Sequence, residues 1–437
     1  MSSAKTELSE ALASAQVPIA FTVARACVYV ILTGAPLAFG AVQPWAWGLI
    51  SLLTSLALLS WALGCVQAKR VRLTWSHLYV PFLAVLVLSL VQLASGLSLD
   101  PIASRESAIK LITYLLLFFL MQQLFVEATT QQWERFAFAA SVFAFAIAMF
   151  AMIQFFVSPG TVYGVVKPRW GGYIFGPYIS HNNYAGLMEM LIPFPLALVV
   201  GLRRGHPARL ALGFSALVAF LSVLLSGSRA GALALVVELL VFGAIALRSS
   251  SAAGKTKRAV AVGAAVVALL GCFFLWVDPG GVYRRWDSLA NSPDLRNDWR
   301  MRMTVDSLHM SHDHFLAGVG LGAFERAYPR YQSFATDLLI EYAHNDYVQF
   351  VAETGLLGWV VTPLAILLFL KMAFTRIGKR IGTAIGWTQM AAAIAVCGIL
   401  VHSWVDFNLH IPANAAWFSI CVALAVLPRS GCSLLDG

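Results

Sequence analysis

RLALGFSALVAFLSVLLSGSRAGALALVVELLVFGAIAL, residues 209–247, decides the fold class. Two apolar runs, 209–226 and 230–247, are separated only by the small turn Ser226-Gly227-Ser228-Arg229-Ala230-Gly231. Wound as helix, each run rises about 27 Å, close to the ~30 Å of bilayer hydrocarbon. Both are apolar on nearly every side, so neither offers a face to water. The stretch reads as two membrane spans joined at one surface by a turn that carries a single cation.

Blocks of the same kind recur on either side. They cover 17–39, 45–66, 76–96, 107–126, 134–157 and 184–202 before this pair, and 259–277, 345–370, 383–405 and 412–428 after it. The composition agrees, with 59% hydrophobic and 12% charged residues in 437, where a soluble domain carries about 25% charged. A mean hydropathy of +0.76 belongs to a chain solvated largely by lipid. These numbers exclude a soluble globular protein and predict an all-α polytopic membrane protein of about twelve transmembrane helices. The first block lacks the short core and cleavage site of a signal peptide and reads as a retained span. Cys27, Cys65, Cys272, Cys397, Cys421 and Cys432 show no C-x-x-C spacing, so they read as small apolar fillers, neither a zinc site nor a disulfide framework.

Lys and Arg orient the spans, because short cytoplasmic loops retain them. With the N-terminus inside, 18 of the 30 basic residues fall on the cytoplasmic side and five (Arg105, Lys110, Lys167, Arg169, Arg229) in short outer segments; the remaining seven occupy one long outer loop. Both termini are then cytoplasmic. Most of the +9 charge follows from topology, and no nucleic-acid partner is needed. Organisation follows: 1–277 holds spans one to nine with a shorter outer loop at 158–183, 278–343 is a large outer loop, and 344–437 holds the last three spans and the C-terminus.

Long loops on one face usually carry function. In 278–343, Ser292-Pro293-Asp294 is a good helix start. The helix that follows places Arg296 and Arg300 on one face, and Leu295, Trp299, Met303 and Met310 on an apolar one. The loop has seven arginines (284, 285, 296, 300, 302, 326, 330) and no lysine. Arg grips phosphate oxygens in pairs, which Lys cannot do, although nine acids in the same loop could simply pair with these cations. Arg229 is held at the membrane surface among small residues that let a ligand approach the backbone; snorkelling to headgroups is the competing reading.

His344-Asn345-Asp346 opens the tenth span. A neutral imidazole there suits a general base; the plainer alternative is a His that caps the span. Arg169 and His181-Asn182-Asn183 flank the sixth span on the same side, where Asn and His suit sugar hydroxyls or phosphate oxygens. His309, His312 and His314 match neither a closed zinc site nor H-E-x-x-H, so no metal is expected. Glu189 and Glu238 lie inside spans, where charge is costly, and keep a proton-coupled transporter or flippase in view.

His344-Asn345, nine residues, then Gly355-x-x-Gly358 resembles the pattern H-[NSQ]-x9-G-x-x-[GTY] of the O-antigen ligase family, within the superfamily that includes O-antigen polymerases and pilin oligosaccharyltransferases. Gly318-Val319-Gly320-Leu321-Gly322-Ala323-Phe324 resembles the glycine-rich segment that precedes that pattern, and Ser228-Arg229-x-Gly231 the upstream Ser-Arg-x-Gly. The resemblance spans about 165–425. Family members often carry Trp four residues after an Arg of the long loop; Thr304 stands at that place relative to Arg300, and Arg296, Arg300 and Arg302 all remain candidates.

The resemblance implies a fold similar to GT-C-type glycosyltransferases. It implies transfer of O-antigen from undecaprenyl pyrophosphate to lipid A-core oligosaccharide, on the periplasmic face of a bacterial inner membrane. The mechanism would invert the anomeric centre and use no cofactor or metal. His344 would be the catalytic base, and Arg229 and Arg300, helped by Arg169, Arg296 and Arg302, would bind the diphosphate, with His181, Asn182 and Asn345 as weaker substrate contacts. The polymerase and the pilin transferase are the nearest rivals, with the same donor and another acceptor.

Overall fold

The structure is a computed structural model and describes residues 18–168, 173–203, 205–249, 299–378 and 380–428. Helices account for eleven of the twelve apolar blocks; the twelfth, 259–277, lies outside the described residues, as does the Ser292-Pro293-Asp294 helix start. In order they are α1 (Ile19–Leu37), α2 (Pro44–Gln67), α3 (Tyr79–Ala94), α4 (Pro101–Val126), α5 (Thr130–Val157), α6 (His181–Leu191) with α7 (Pro193–Gly201), α8 (Ala208–Ser226) and α9 (Arg229–Ser249). After the long loop come α10 (Trp299–Asp313), the short α11 (Phe324–Ala327), α12 (Asp346–Thr354), α13 (Leu356–Gly378), α14 (Ala384–His402) and α15 (Pro412–Ala425). Eight of these units, α6 and α7 counted together, are long and apolar enough to cross a membrane. The protein is an all-α, polytopic membrane protein.

Local chemistry sets the helix ends. Asp100 caps α4, its carboxylate accepting from Ile102 N and Ala103 N at 3.1 and 3.0 Å, with Pro101 at the first position. Thr129 and Gln132 form a reciprocal capping box on α5. Two blocks are broken inside. Ile192-Pro193 divides α6 from α7, since Pro supplies no N–H to the preceding turn. Gly355, at φ +60°, divides the tenth block into α12 and α13.

α14 lies at the centre, with Ala391, Ala392, Ala393, Ala395 and Gly398 on a helix buried nearly all round. In lipid, helices associate through close packing of small residues rather than by hiding apolar surface from water. That composition lets α7, α9 and α15 come close. α2 and α13 are peripheral, and their Leu52, Leu59, Leu364 and Leu367 point outward.

The two ends of the bundle differ. At one, Arg70 and Arg72 from the α2–α3 connection both meet Glu127 from the α4–α5 connection, at 2.5 and 3.1 Å. At the other, the 95–100 connection meets the glycine-rich segment: Leu99 N donates to Val319 O at 2.9 Å, and Gln92 Nε2 to Ala317 O at 2.6 Å and Glu353 O at 2.9 Å. Above this second end sits a small core of Met303, Met310, Val319, Phe324 and Tyr328. The expected apolar face of α10 is therefore buried at Met303 and Met310, packed against the bundle, while Trp299 stays half exposed beside Phe334.

Candidate active site

The cap of α12 is Asn345. Its Oδ1 accepts from Tyr347 N and Val348 N, both at 3.1 Å, so capping does not account for the preceding His344. That residue stands at φ +51°, a left-handed conformation uncommon for any side chain but Gly. Its ring lies edge-on to Phe407, 4.8 Å between centroids, and is about a third exposed. Nδ1 faces Oδ1 of Asp406 at 3.4 Å.

Asp406 belongs to the connection between α14 and α15 and is fully buried. Its Oδ1 also accepts from Phe407 N at 2.9 Å, and its Oδ2 faces Arg300 Nη2 at 4.0 Å. Arg300 Nη1 donates to Val405 O at 3.2 Å. Burial alone would raise the Asp406 carboxyl, but His344, Arg300 and His402 outweigh it and bring it down to about 2. Arg300, Asp406 and His344 thus form a line drawn from three segments distant in sequence. Asp406, which faces Arg300, lies outside the loop that holds the nine acids.

Around this line a polar network binds the same connection from two sides. Asp346 Oδ2 accepts from Ser403 Oγ at 2.8 Å and Leu409 N at 3.2 Å, and its Oδ1 meets His410 Nδ1 at 2.7 Å. Burial would lower His410, yet the hydrogen bond and charge of Asp346, with Glu353, hold it above its ordinary value; Lys110 acts against them. From α6, Glu189 Oε1 meets His402 Nδ1 at 2.7 Å, both side chains fully buried. Glu238, on α9, packs against Gly398 of α14. One of the two acids read as ion carriers is therefore a partner of the helix end that leads to Asp406.

The Ser-Arg-x-Gly segment is held close by. Ser228 Oγ accepts from Gly231 N at 3.1 Å, and a Cβ at Gly231 would stand 2.6 Å from that of Ala185. Glycine lets the start of α9, with the half-buried Arg229, pack on the start of α6. There Asn183 O accepts from Asn414 Nδ2 at 2.9 Å, and the same amide donates to Asn408 Oδ1 at 3.0 Å. His181 opens α6 with its ring edge-on to Tyr173, and Asn182 is buried. Arg302 lies two residues beyond Arg300 on α10, about 200° further round. Arg169 and Arg296 lie outside the described residues.

The two glycine motifs meet each other. A Cβ at Gly355 would stand 2.6 Å from Gly318 N, and one at Gly318 would collide with Glu353 O. Both have positive φ, so backbone lies on backbone where no side chain fits. Glu353 Oε2 then accepts from Gly322 N at 2.7 Å. The glycine-rich segment is a brace under α12, two turns from His344.

An apolar cavity of about 320 Å³ runs from Asp346 and His410 down between α3, α4, α13, α14 and α15, past Phe82, Tyr114, Phe350 and Phe418 to Leu78. Its size falls within the range of ligand pockets, about 300–1,000 Å³.

Reading the residues alone missed Asp406 and the Asp346–His410 pair. A signal was present in the density of polar residues (His402, Ser403, Asp406, Asn408, His410) between two apolar spans.

No curated protein matches the chain. Residues 214–362 contain Ser228-Arg229, Arg300, the glycine-rich segment, His344 and Gly355-x-x-Gly358, and over that stretch the chain matches the model of the family described as O-antigen ligase.

Proposed function

We propose that the protein transfers an O-antigen polysaccharide from undecaprenyl pyrophosphate to the lipid A-core oligosaccharide, at the periplasmic face of a bacterial inner membrane. The observation that carries this reading is the Arg300–Asp406–His344 line. An Nδ1–H pointed at Asp406 leaves the lone pair on Nε2, the form that takes a proton from an attacking hydroxyl. The 3.4 Å separation is long for a formed hydrogen bond, as catalytic contacts often are before substrate binds.

In the proposed reaction the acceptor hydroxyl gives its proton to His344 Nε2 as its oxygen bonds to the anomeric carbon. The bond from that carbon to the diphosphate breaks on the opposite face, so the configuration inverts. Undecaprenyl pyrophosphate leaves with the electron pair, and Arg229 and Arg300 meet its gathering charge in a site with little water. Arg169, Arg296 and Arg302 are kept as further diphosphate contacts, and His181 and Asn182 as contacts to sugar. Asn345 acts through the cap it supplies. The apolar cavity suits the hydrocarbon chain of a membrane-anchored substrate. Donor and acceptor both held in the membrane plane lose little further freedom on meeting.

The test is reconstitution. Purified protein, lipid-linked donor and lipid A-core in detergent should yield polymer-bearing lipopolysaccharide on a gel, and His344→Ala should not. Elongation of the lipid-linked polymer instead would assign a polymerase, transfer to a pilin an oligosaccharyltransferase. Donor moved across vesicles with no covalent product would assign a transporter.

A further inference from the structure

The geometry assigns to Asp346 the task of positioning the His344–Asp406 pair, and so of setting the rate of the transfer without touching the reacting atoms. The inference rests on His344 being the base in the proposed reaction.

His344 is held in a conformation it would not choose. A non-glycine residue in the left-handed region is strained and persists only where its surroundings fix it. Here the flanking residues are all tied down. Ala343 N donates to Gln349 Oε1 at 3.0 Å, Asn345 caps α12, and Asp346 N donates to Ser403 O at 2.9 Å and to Asp406 O at 3.3 Å. The last two bonds join the segment of His344 to that of Asp406.

The Asp346 side chain then closes the same junction a second time. Its two oxygens hold Ser403 Oγ, Leu409 N and His410 Nδ1, at both ends of the connection that has Asp406 in its middle. Only about 6% of this side chain is exposed, and its bonds all go to one short loop. A carboxylate so used fixes the distance between the two segments, which is the distance from His344 Nδ1 to Asp406 Oδ1. Glu189 grips the loop too, through His402, but from α6 and at one end only. Asp346 alone, among the residues described, binds the loop at both ends from the helix that His344 precedes.

Without Asp346 the loop keeps its neighbours but loses its register against α12. A shift of about 1 Å in a catalytic group costs about 10²-fold in rate. Donor binding, assigned to the arginines, should change little. The His410 and Ser403 partners explain why the residue is Asp: the shorter acid reaches all three donors from the first turn, and Asn would offer one oxygen for them.

The test uses the full-length protein in lipid nanodiscs, with Asp346→Ala, Asp406→Ala and the double variant compared with wild type. A positioning role predicts kcat down about 10²-fold in Asp346→Ala, with donor KM within about twofold. The double variant should then be no slower than Asp406→Ala, because both residues act on one imidazole. Losses that multiply in the double variant would overturn the inference, as would a KM effect in place of the kcat effect. Amide hydrogen exchange, read by mass spectrometry, needs no substrate. Exchange over 403–411 should rise in Asp346→Ala and stay unchanged in α5; no rise over 403–411 refutes the positioning role. Should Asp346→Ala not fold, Ser403→Ala removes one of the three donors and must show the same pattern, smaller. If the wild type transfers nothing, the proposed function fails while the exchange result still decides what Asp346 does.

Discussion

Replacing Asp406 by Asn removes one charge and leaves the side chain's shape, including the acceptor for Phe407 N. Two figures bracket the effect. The fall of the carboxyl from its ordinary 3.8 to about 2 corresponds to about 2.5 kcal/mol of net favourable interaction, left after the cost of burial, at ~1.4 kcal/mol per unit. Coulomb's law for the 3.4 Å contact to a protonated His344 gives about 5 kcal/mol at an effective dielectric constant near 20. In the proposed reaction His344 accepts a proton, so this interaction strengthens in the transition state and its loss appears in kcat. The expected fall is about 60-fold to 4 × 10³-fold, with donor KM little changed. Steady-state transfer from lipid-linked donor, measured at saturating acceptor in nanodiscs, reads it directly. The sign with pH is also set. A depressed carboxyl contributes stability that is present above about pH 4 and lost as pH falls through 2. Thermal unfolding of wild type and Asp406→Asn should therefore differ near neutrality and converge toward pH 2. Turnover of Asp406→Asn within threefold of wild type would refute the argument that this buried charge serves His344.

His344→Asn should fall as far as His344→Ala, about 10²- to 10⁴-fold in kcat, because Asn345 is the cap and a second amide before it supplies no base; near-normal turnover in the transfer assay would remove His344 from the mechanism. Arg300→Lys keeps the charge but not the fork that spans Val405 O and Asp406, so it should lose nearly as much transfer as Arg300→Ala; full activity of Arg300→Ala would leave surface pairing as the better account. His410, held above its ordinary value by Asp346 after burial is overcome, contributes stability that is complete below about pH 6.5 and lost as pH rises through its raised value. Wild type should thus exceed His410→Gln in melting temperature at pH 6 by more than at pH 9, and an equal gap at both would show that His410 contributes by packing alone. A cysteine at Ser95, next to the segment that meets the glycine brace, should react with an impermeant reagent applied from the periplasm; labelling only from the cytoplasm would invert the orientation read from the basic residues.

The fold was legible because the length of an apolar run reports directly on the solvent it crosses, and no tertiary detail enters that inference. His344, Arg229 and Arg300 stand out in the sequence for a related reason: strong donors and bases placed where spans meet water are few, and each needs an explanation. Breaks inside the blocks were harder to see. Gly355 divides the tenth span because the backbone of Gly318 passes against it, and hydropathy averaged over a window is blind to the approach of another segment. Asp406 was illegible for the same physical reason on a larger scale. It lies 62 positions beyond His344, across the whole α13–α14 hairpin, and only the packing of that hairpin brings an acid after one span beside a histidine before another. A connection that holds His402, Ser403, Asp406, Asn408 and His410 between two apolar helices is nevertheless a costly thing to build at the end of a bundle. With Arg300 and Asp346 turned toward it, the loop's polarity is what the proposed transfer, which moves a proton and meets a diphosphate, requires, so its acids warranted the same scrutiny as the histidine they surround.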